Sequence, residues 1–200
     1  LRNRRQRQMC IRDRLYRPDL MKGQVCVVSG GGTGIGAACA RELAHLGATV
    51  VIGSRKAENY EPAAAGLSRE CGREVEGVAL DIRDRDAVRE TVAGIVDRHG
   101  RIDVLVNNGG GQFFSPAEVI SDKGWDAVVA TNLTGTWNLT RAVADQAMLK
   151  SGGRVVNVTM LTRNSFPGMT HSVAARAGVE AMTRTLAVEW AARGIRINSV

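Results

Sequence analysis

Short apolar runs alternate with longer amphipathic stretches from Gln24 to the end of this 200-residue chain. VCVVS (25–29), ATVVIGS (48–54), EGVALD (76–81), DVLVNN (103–108), GRVVNVT (153–159) and IRINSV (195–200) are short, apolar and rich in β-branched residues, which predicts six strands. Between them, residues 37–46, 57–71, 84–99, 124–150 and 171–192 read as helices. Apolar strands that alternate with helices predict a mostly parallel sheet covered on both faces. Right-handed crossovers wind such a chain into a doubly wound α/β sheet, a Rossmann fold, in a single domain over 24–200. The sixth strand is still open at Val200, so a C-terminally truncated fragment is expected, because half a strand leaves a sheet edge unfinished.

The formal net charge is +7, but its location changes its meaning. Residues 1–23 hold eight Arg/Lys and two Asp, whereas the remaining residues hold 19 basic and 18 acidic side chains. The body is nearly neutral, so no nucleic-acid partner is expected. There is no run of 18 apolar residues, so no membrane span is expected either. Residues 1–23 are set apart as a basic tail, disordered or non-native. LRNRRQRQMCIRDR reads as a basic arm, or as a transit peptide, which it fits poorly because it lacks Ser and holds Asp13. Its part RQRQMCIRDR resembles translated adapter sequence. Cys10, Cys26, Cys39 and Cys71 show no metal-ligand spacing, which predicts reduced thiols, no metal, and a cytoplasmic location (peroxisomal in a eukaryote). Three N-x-T triplets, at Asn132, Asn138 and Asn157, fall in predicted regular structure, which argues against glycosylation.

The string Ser29-Gly-Gly-Gly-Thr-Gly-Ile-Gly36 lies between the first strand and the first helix. Gly30 suits the tight turn after the strand, Gly34 a close approach of backbone to a pyrophosphate, and Gly36 close packing of helix on strand. Gly32, Thr33 and Ile35 complete the loop, and the helix N-terminus beyond it offers free N–H groups to phosphates. A glycine-rich structural turn is the alternative; the strand–turn–helix context and the strand that follows favour a dinucleotide. The second strand ends in Ser54, Arg55 and Lys56, where an NAD site would carry Asp or Glu. A hydroxyl followed by cations suits a 2′-phosphate, which predicts NADP(H), against a solvated helix start as the alternative. Asp81 and Ile82 are placed for the adenine edge.

SGGGTGIG, LDI (80–82), VNNGG (106–110), TNLTG (131–135), VNVT (156–159) and IRINSV together resemble the short-chain dehydrogenase/reductase family across residues 24–200. The resemblance implies that Asn108, Gly109 and Gly110 pass beneath the cofactor and that Asn132 helps organise a proton-relay water. It also implies a homo-oligomer, with subunit contacts on helices 124–150 and 171–192. The family's Tyr-x-x-x-Lys pair is replaced: Ser172 stands in place of the Tyr and Arg176 in place of the Lys. Thr159 falls near the family's catalytic Ser, although Met160 takes that place with a shift of one residue.

Serine of ordinary pKa cannot serve alone as the base that alcohol oxidation requires. Reduction of an enoyl thioester instead needs hydrogen-bond donors aimed at the oxygen where enolate charge develops, and a proton for Cα. Ser172, Asn132 and Thr159 are candidate donors, Arg176 a candidate holder of the ribose and source of positive charge, and His171 a candidate proton donor, or else a packing or capping residue. NNGGGQFFSPAE (107–118), KGW (123–125) and HSVAARAGVEAMTRTLAVEWA (171–191) look most like the peroxisomal trans-2-enoyl-CoA reductases, which implies an acyl-CoA thioester substrate and a place in fatty acid metabolism. They also resemble 2,4-dienoyl-CoA reductases, but those recruit a Tyr from a loop that here, over 160–166, contains none. Bacterial terpenoid alcohol dehydrogenases share a similar HSxAARAG stretch, so an NADP(H)-dependent alcohol or carbonyl dehydrogenase is the second reading, and a non-catalytic dinucleotide-binding protein the third. Glu180 and Arg184 read as helix surface, His45 and His99 as solvated, and Trp125, Trp137 and Trp190 as core or subunit interface.

Overall fold

A computed structural model describes residues 16–160 and 166–200. Six strands, β1 (Val25–Ser29), β2 (Thr49–Ser54), β3 (Val75–Ala79), β4 (Val104–Asn107), β5 (Gly153–Asn157) and β6 (Ile195–Ser199), form one sheet in the order β3-β2-β1-β4-β5-β6. Every pair is parallel. The order reverses between β1 and β4, and in open α/β sheets ligands bind at such a switch, beyond the carboxyl ends of the strands.

The alternation of side chains along β1 divides the core. Val25 and Val27 join a cluster with Leu105, Val155 and Ile197, covered by the helices α3 (Arg85–His99), α4 (122–151) and α5 (Thr170–Glu189). Cys26 and Val28 face the other way, onto α1 (Gly34–His45) and α2 (Ala57–Cys71), where Ala40, Ala44, Ala64 and Leu67 pack. Burying each Val or Leu in these layers stabilises the fold by about 1.5–3 kcal/mol.

The long helix expected over 124–150 is present as α4, over 122–151, but it is not uniform. α-Helical Asp122–Val129, Gly135–Val143 and Leu149–Ser151 are joined by π turns at Ala130–Thr134 and Ala144–Met148. Such bulges in a helix frequently mark functional sites, and Asn132 sits in the first.

Residues 16–23, the described end of the stretch set apart as a basic tail, form turns beside the core. Met21 packs on the α1–α2 side of the core and its N–H donates to the Leu46 carbonyl at 2.8 Å, because Gly47 leaves room for residues 18–22. Residues 1–14, for which a non-native origin was raised, lie outside the described residues. The N-x-T asparagines Asn132, Asn138 and Asn157 are all buried. Cys26 is buried, Cys39 and Cys71 half-buried, and all three are free thiols. Among the described residues, no helix is long and apolar enough to cross a membrane, and no group of His, Cys, Asp and Glu could hold a metal.

Candidate active site

The glycine loop is built as its residues require. Gly30 has φ +65°, a left-handed conformation that L side chains rarely adopt, and its N–H donates to the Gly53 carbonyl at 2.8 Å. A Cβ on Gly36 would overlap the Gly30 carbonyl and the Asn108 amide, so only glycine lets α1 pack so close to the turn. Gly34, also at positive φ, has open space on its Cβ side. Thr33 precedes α1 without capping it, so the N–H groups of the first turn are free for an anion. Gly32 is pressed against the Asn59 carbonyl and Ile35 is exposed to solvent.

A groove of about 460 Å³ runs across the switch point. Gly30, Thr33, Ser54, Arg55, Asp81, Ile82, Gly109 and Gly110 line it, as the sequence placed them. Asn108 stands behind the wall and ties the turn together: its side chain donates to the carbonyls of Ser29 and Gly30, while the Ser29 hydroxyl accepts from the N–H of Asn108 and of Gly109. The open glycine at Gly34, the uncapped helix end and the hydroxyl–guanidinium pair of Ser54 and Arg55 together fit a nicotinamide dinucleotide. Lys56, expected beside the phosphate, does not line the groove. It is the extended residue just before α2, and its ammonium pairs with Glu58 at 3.1 Å.

Arg83 also lines the groove and was not singled out from the sequence. Its guanidinium takes both carboxylate oxygens of Asp81, with Nη2 at 2.5 Å from Oδ2 and Nε at 2.9 Å from Oδ1. Hydrogen bonding from Arg83 holds the Asp81 carboxyl below its ordinary pKa, with a smaller contribution from the charge of Arg55. The groove wall thus carries two guanidiniums and one carboxylate already matched to one of them.

The reacting end differs from expectation in several particulars. Asn132 is fully buried and committed: its Nδ2 donates to the Gly111 carbonyl at 3.0 Å and its Oδ1 accepts from the Gly111 N–H at 2.9 Å. It holds the loop after β4 and is not a donor facing the groove. Its own carbonyl accepts from the Thr136 hydroxyl at 2.9 Å. Thr159 does not face Ser172 either; its hydroxyl donates to the Val200 carbonyl at 3.1 Å. Met160 takes the place in front of the helix, with its sulfur 3.6 Å from the Ser172 hydroxyl oxygen. His171 is fully buried, neither ring nitrogen has a hydrogen-bond partner among the described residues, and its ring meets Phe113 edge-on at 4.4 Å. The ring lies behind Phe113 of the groove wall, in keeping with the packing role weighed for it beside the chemical one.

Ser172 and Arg176 lie one turn apart on α5, both buried, and each reaches a residue of the groove wall, Gln112 and Gly110 respectively. The Ser172 hydroxyl donates to Oε1 of Gln112 at 3.1 Å. Gln112 lines the groove and was also missed from the sequence; its only signal was a polar side chain directly after the glycine run. Arg176 is 7% exposed, donates to the Val158 carbonyl at 2.9 Å, and has no ion pair among the described residues. Burial pushes its pKa down. A Cβ on Gly110 would occupy the space of the Arg176 guanidinium, so the glycine is what lets this cation reach the groove wall.

His99, expected to be solvated, pairs through Nε2 with Glu76 at 2.8 Å, and Arg98 closes on the same carboxylate. This cluster lies away from the groove and ties α3 to β3. Trp190 is buried in the core, while Trp125 is exposed.

A parallel sheet in this order with this loop defines a nicotinamide-dinucleotide-binding fold. The chain matches the short chain dehydrogenase family over residues 24–200 and belongs to it. A peroxisomal 2,4-dienoyl-CoA reductase of Danio rerio is 35% identical over 187 residues, covering 93% of this chain. The match spans 62% of that relative's length. A 3-oxoacyl-[acyl-carrier-protein] reductase of Thermotoga maritima is 37% identical over 181 residues, 90% of this chain and 73% of that protein. Among solved structures, the citronellol catabolism dehydrogenase of Pseudomonas aeruginosa superposes with a TM-score of 0.89 at 46% identity, over 92% of this chain and 76% of that one. A metagenomic short-chain oxidoreductase in complex with NADP gives a TM-score of 0.85 at 33% identity, over 90% and 81% of the two chains.

Proposed function

We propose that this chain is an NADP(H)-dependent oxidoreductase that reduces the C=C bond of a trans-2-enoyl-CoA thioester, in fatty acid metabolism. The observation that carries this reading is Arg176: a buried cation, with no carboxylate to match it among the described residues, beside the groove wall. Burying an unmatched charge is costly unless something answers it. A site that builds negative charge on a substrate oxygen answers it, and a fixed cation there acts in a region where water does not screen it.

A reduced nicotinamide dinucleotide held by the Gly30–Gly36 loop, Ser54 and Arg55 would supply the hydride that Cβ of the substrate requires. Arg176 then stabilises the enolate charge that moves onto the thioester oxygen. Ser172 gives its hydroxyl hydrogen to Gln112 Oε1, which leaves the two amide N–H donors of Gln112 for the same oxygen. Ser54 and Arg55 hold the 2′-phosphate, and Asn132 fixes the loop that carries Gln112. A proton for Cα comes from solvent. The faces of α4 and α5 are the subunit contacts of a homo-oligomer.

The likeness to the citronellol catabolism dehydrogenase favours a second reading, an alcohol or carbonyl dehydrogenase. NADPH oxidation followed at 340 nm with crotonyl- or decenoyl-CoA, against aldehydes such as citronellal, separates the two. Turnover with enoyl-CoA is expected. Turnover with aldehydes alone overturns the thioester reading, and cofactor binding with no turnover on either overturns catalysis.

A further inference from the structure

The chain has only three phenylalanines: Phe113 in the groove wall, Phe114 beside it in sequence, and Phe166 two residues before the Gly168 that Phe114 packs on. Phe113 lines the groove itself and touches His171. The ring of Phe114 lies against Gly168, at φ +79°, where any Cβ would overlap it, and the Ser115 N–H donates to the Gly168 carbonyl at 2.9 Å. Two residues before Gly168, Phe166 lines an apolar recess of about 380 Å³ with Pro167, Val173 and Ala174. These rings are 42%, 73% and 51% exposed, an arrangement that water disfavours unless something apolar covers it.

Two features say what covers them. Residues 107–117 and 166–175, the described segments that carry these rings, contain no Asp, Glu, Lys or Arg. The rim is also continuous with the chemistry: Phe113 follows Gln112, and Phe114 rests on the turn that leads into Ser172. A molecule whose reacting carbonyl meets Gln112 has its free end directed over these rings.

We infer that Phe113, Phe114 and Phe166, with Pro167 and Val173, seat the hydrocarbon chain of the substrate and make this an enzyme for extended apolar substrates. The inference rests on the proposed reading for the position of the carbonyl, and its test does not need turnover. Dissociation constants are measured on the NADPH complex for saturated acyl-CoAs from butanoyl to dodecanoyl, and for 1-alkanols from butanol to decanol. In the unsubstituted protein each added methylene should tighten binding about three- to fourfold. Phe114→Ala and Phe166→Ser, both at exposed positions, should flatten that series while leaving butanoyl-CoA within about twofold.

A flat series in the unsubstituted protein, or an unchanged slope in both variants, overturns the seat. So does a change of oligomeric state in either variant by sedimentation, since the rings would then belong to an interface between copies. A slope that the variants flatten for both series, without any enoyl-CoA reduction, supports the seat and overturns the thioester reading. Enoyl-CoA reduction with the slope intact in both variants does the reverse.

Discussion

Replacing Arg55 by alanine should separate the two nicotinamide dinucleotides. The end of β2 offers the Ser54 hydroxyl and the Arg55 guanidinium to the groove, and no free acidic side chain for an unphosphorylated ribose. The nearby carboxylate, Asp81, is bound through both oxygens by Arg83. A hydrogen bond to a charged group contributes about 1.5–3 kcal/mol, or roughly 10- to 150-fold in affinity. Arg55 is exposed, so screening places the expected loss at the lower end, about 10- to 30-fold for NADPH, with NADH nearly unchanged. Arg83→Ala should act in the same direction by another route: it frees the Asp81 carboxylate, whose charge then opposes the phosphate, and NADPH should again weaken more than NADH. Titration of both cofactors by quenching of tryptophan fluorescence gives the ratio, and raising the ionic strength should lower NADPH affinity selectively. Equal losses for the two cofactors in Arg55→Ala, or equal affinities before substitution, would refute the assignment of this end of the groove.

Arg176→Met should cut kcat about 10²- to 10³-fold, as loss of a donor to a developing oxyanion does. Its melting temperature should hold or rise, because an unmatched buried charge is removed; full activity or early unfolding contradicts the role given to Arg176. Asn107→Ala removes the amide that donates to Thr140 and Asn157, each at 2.7 Å, and leaves buried acceptors unpaired. Urea unfolding should show a loss of about 1–3 kcal/mol per orphaned group, and a loss under 0.5 kcal/mol would show the ladder to be replaceable. Burial pushes the Cys26 thiol up to about 12 from 9.0. The folded state therefore keeps a proton that the unfolded chain releases, so this stability is whole below pH 9 and lost as pH rises towards 12. Stability measured from pH 8 to 11 should fall less steeply in Cys26→Ala, and parallel curves would refute the shift.

The half of the molecule that binds cofactor was legible because main-chain geometry writes itself into residue type. A left-handed turn at Gly30 and the approach of α1 at Gly36 admit little but glycine, and six apolar runs set the sheet. Even there, Lys56 was placed in the groove by proximity alone, and the structure turns it to Glu58, in the first turn of the helix that residue 56 precedes. Arg83 was overlooked because its role depends on reaching back two residues to Asp81, which no spacing rule reports. The reacting half was less legible for a different reason. Its decisive contact joins Ser172 to Gln112 across 60 residues of sequence, and it exists only because Asn132, in a π turn, holds Gly111 on both its N–H and its carbonyl. His171 looked chemical beside Ser172, but adjacent residues on a helix point about 100° apart, so one of the two had to turn from the groove. That same rotation gives Phe113 its edge-on partner, which is how a residue read as a proton donor comes instead to support one wall of an apolar rim.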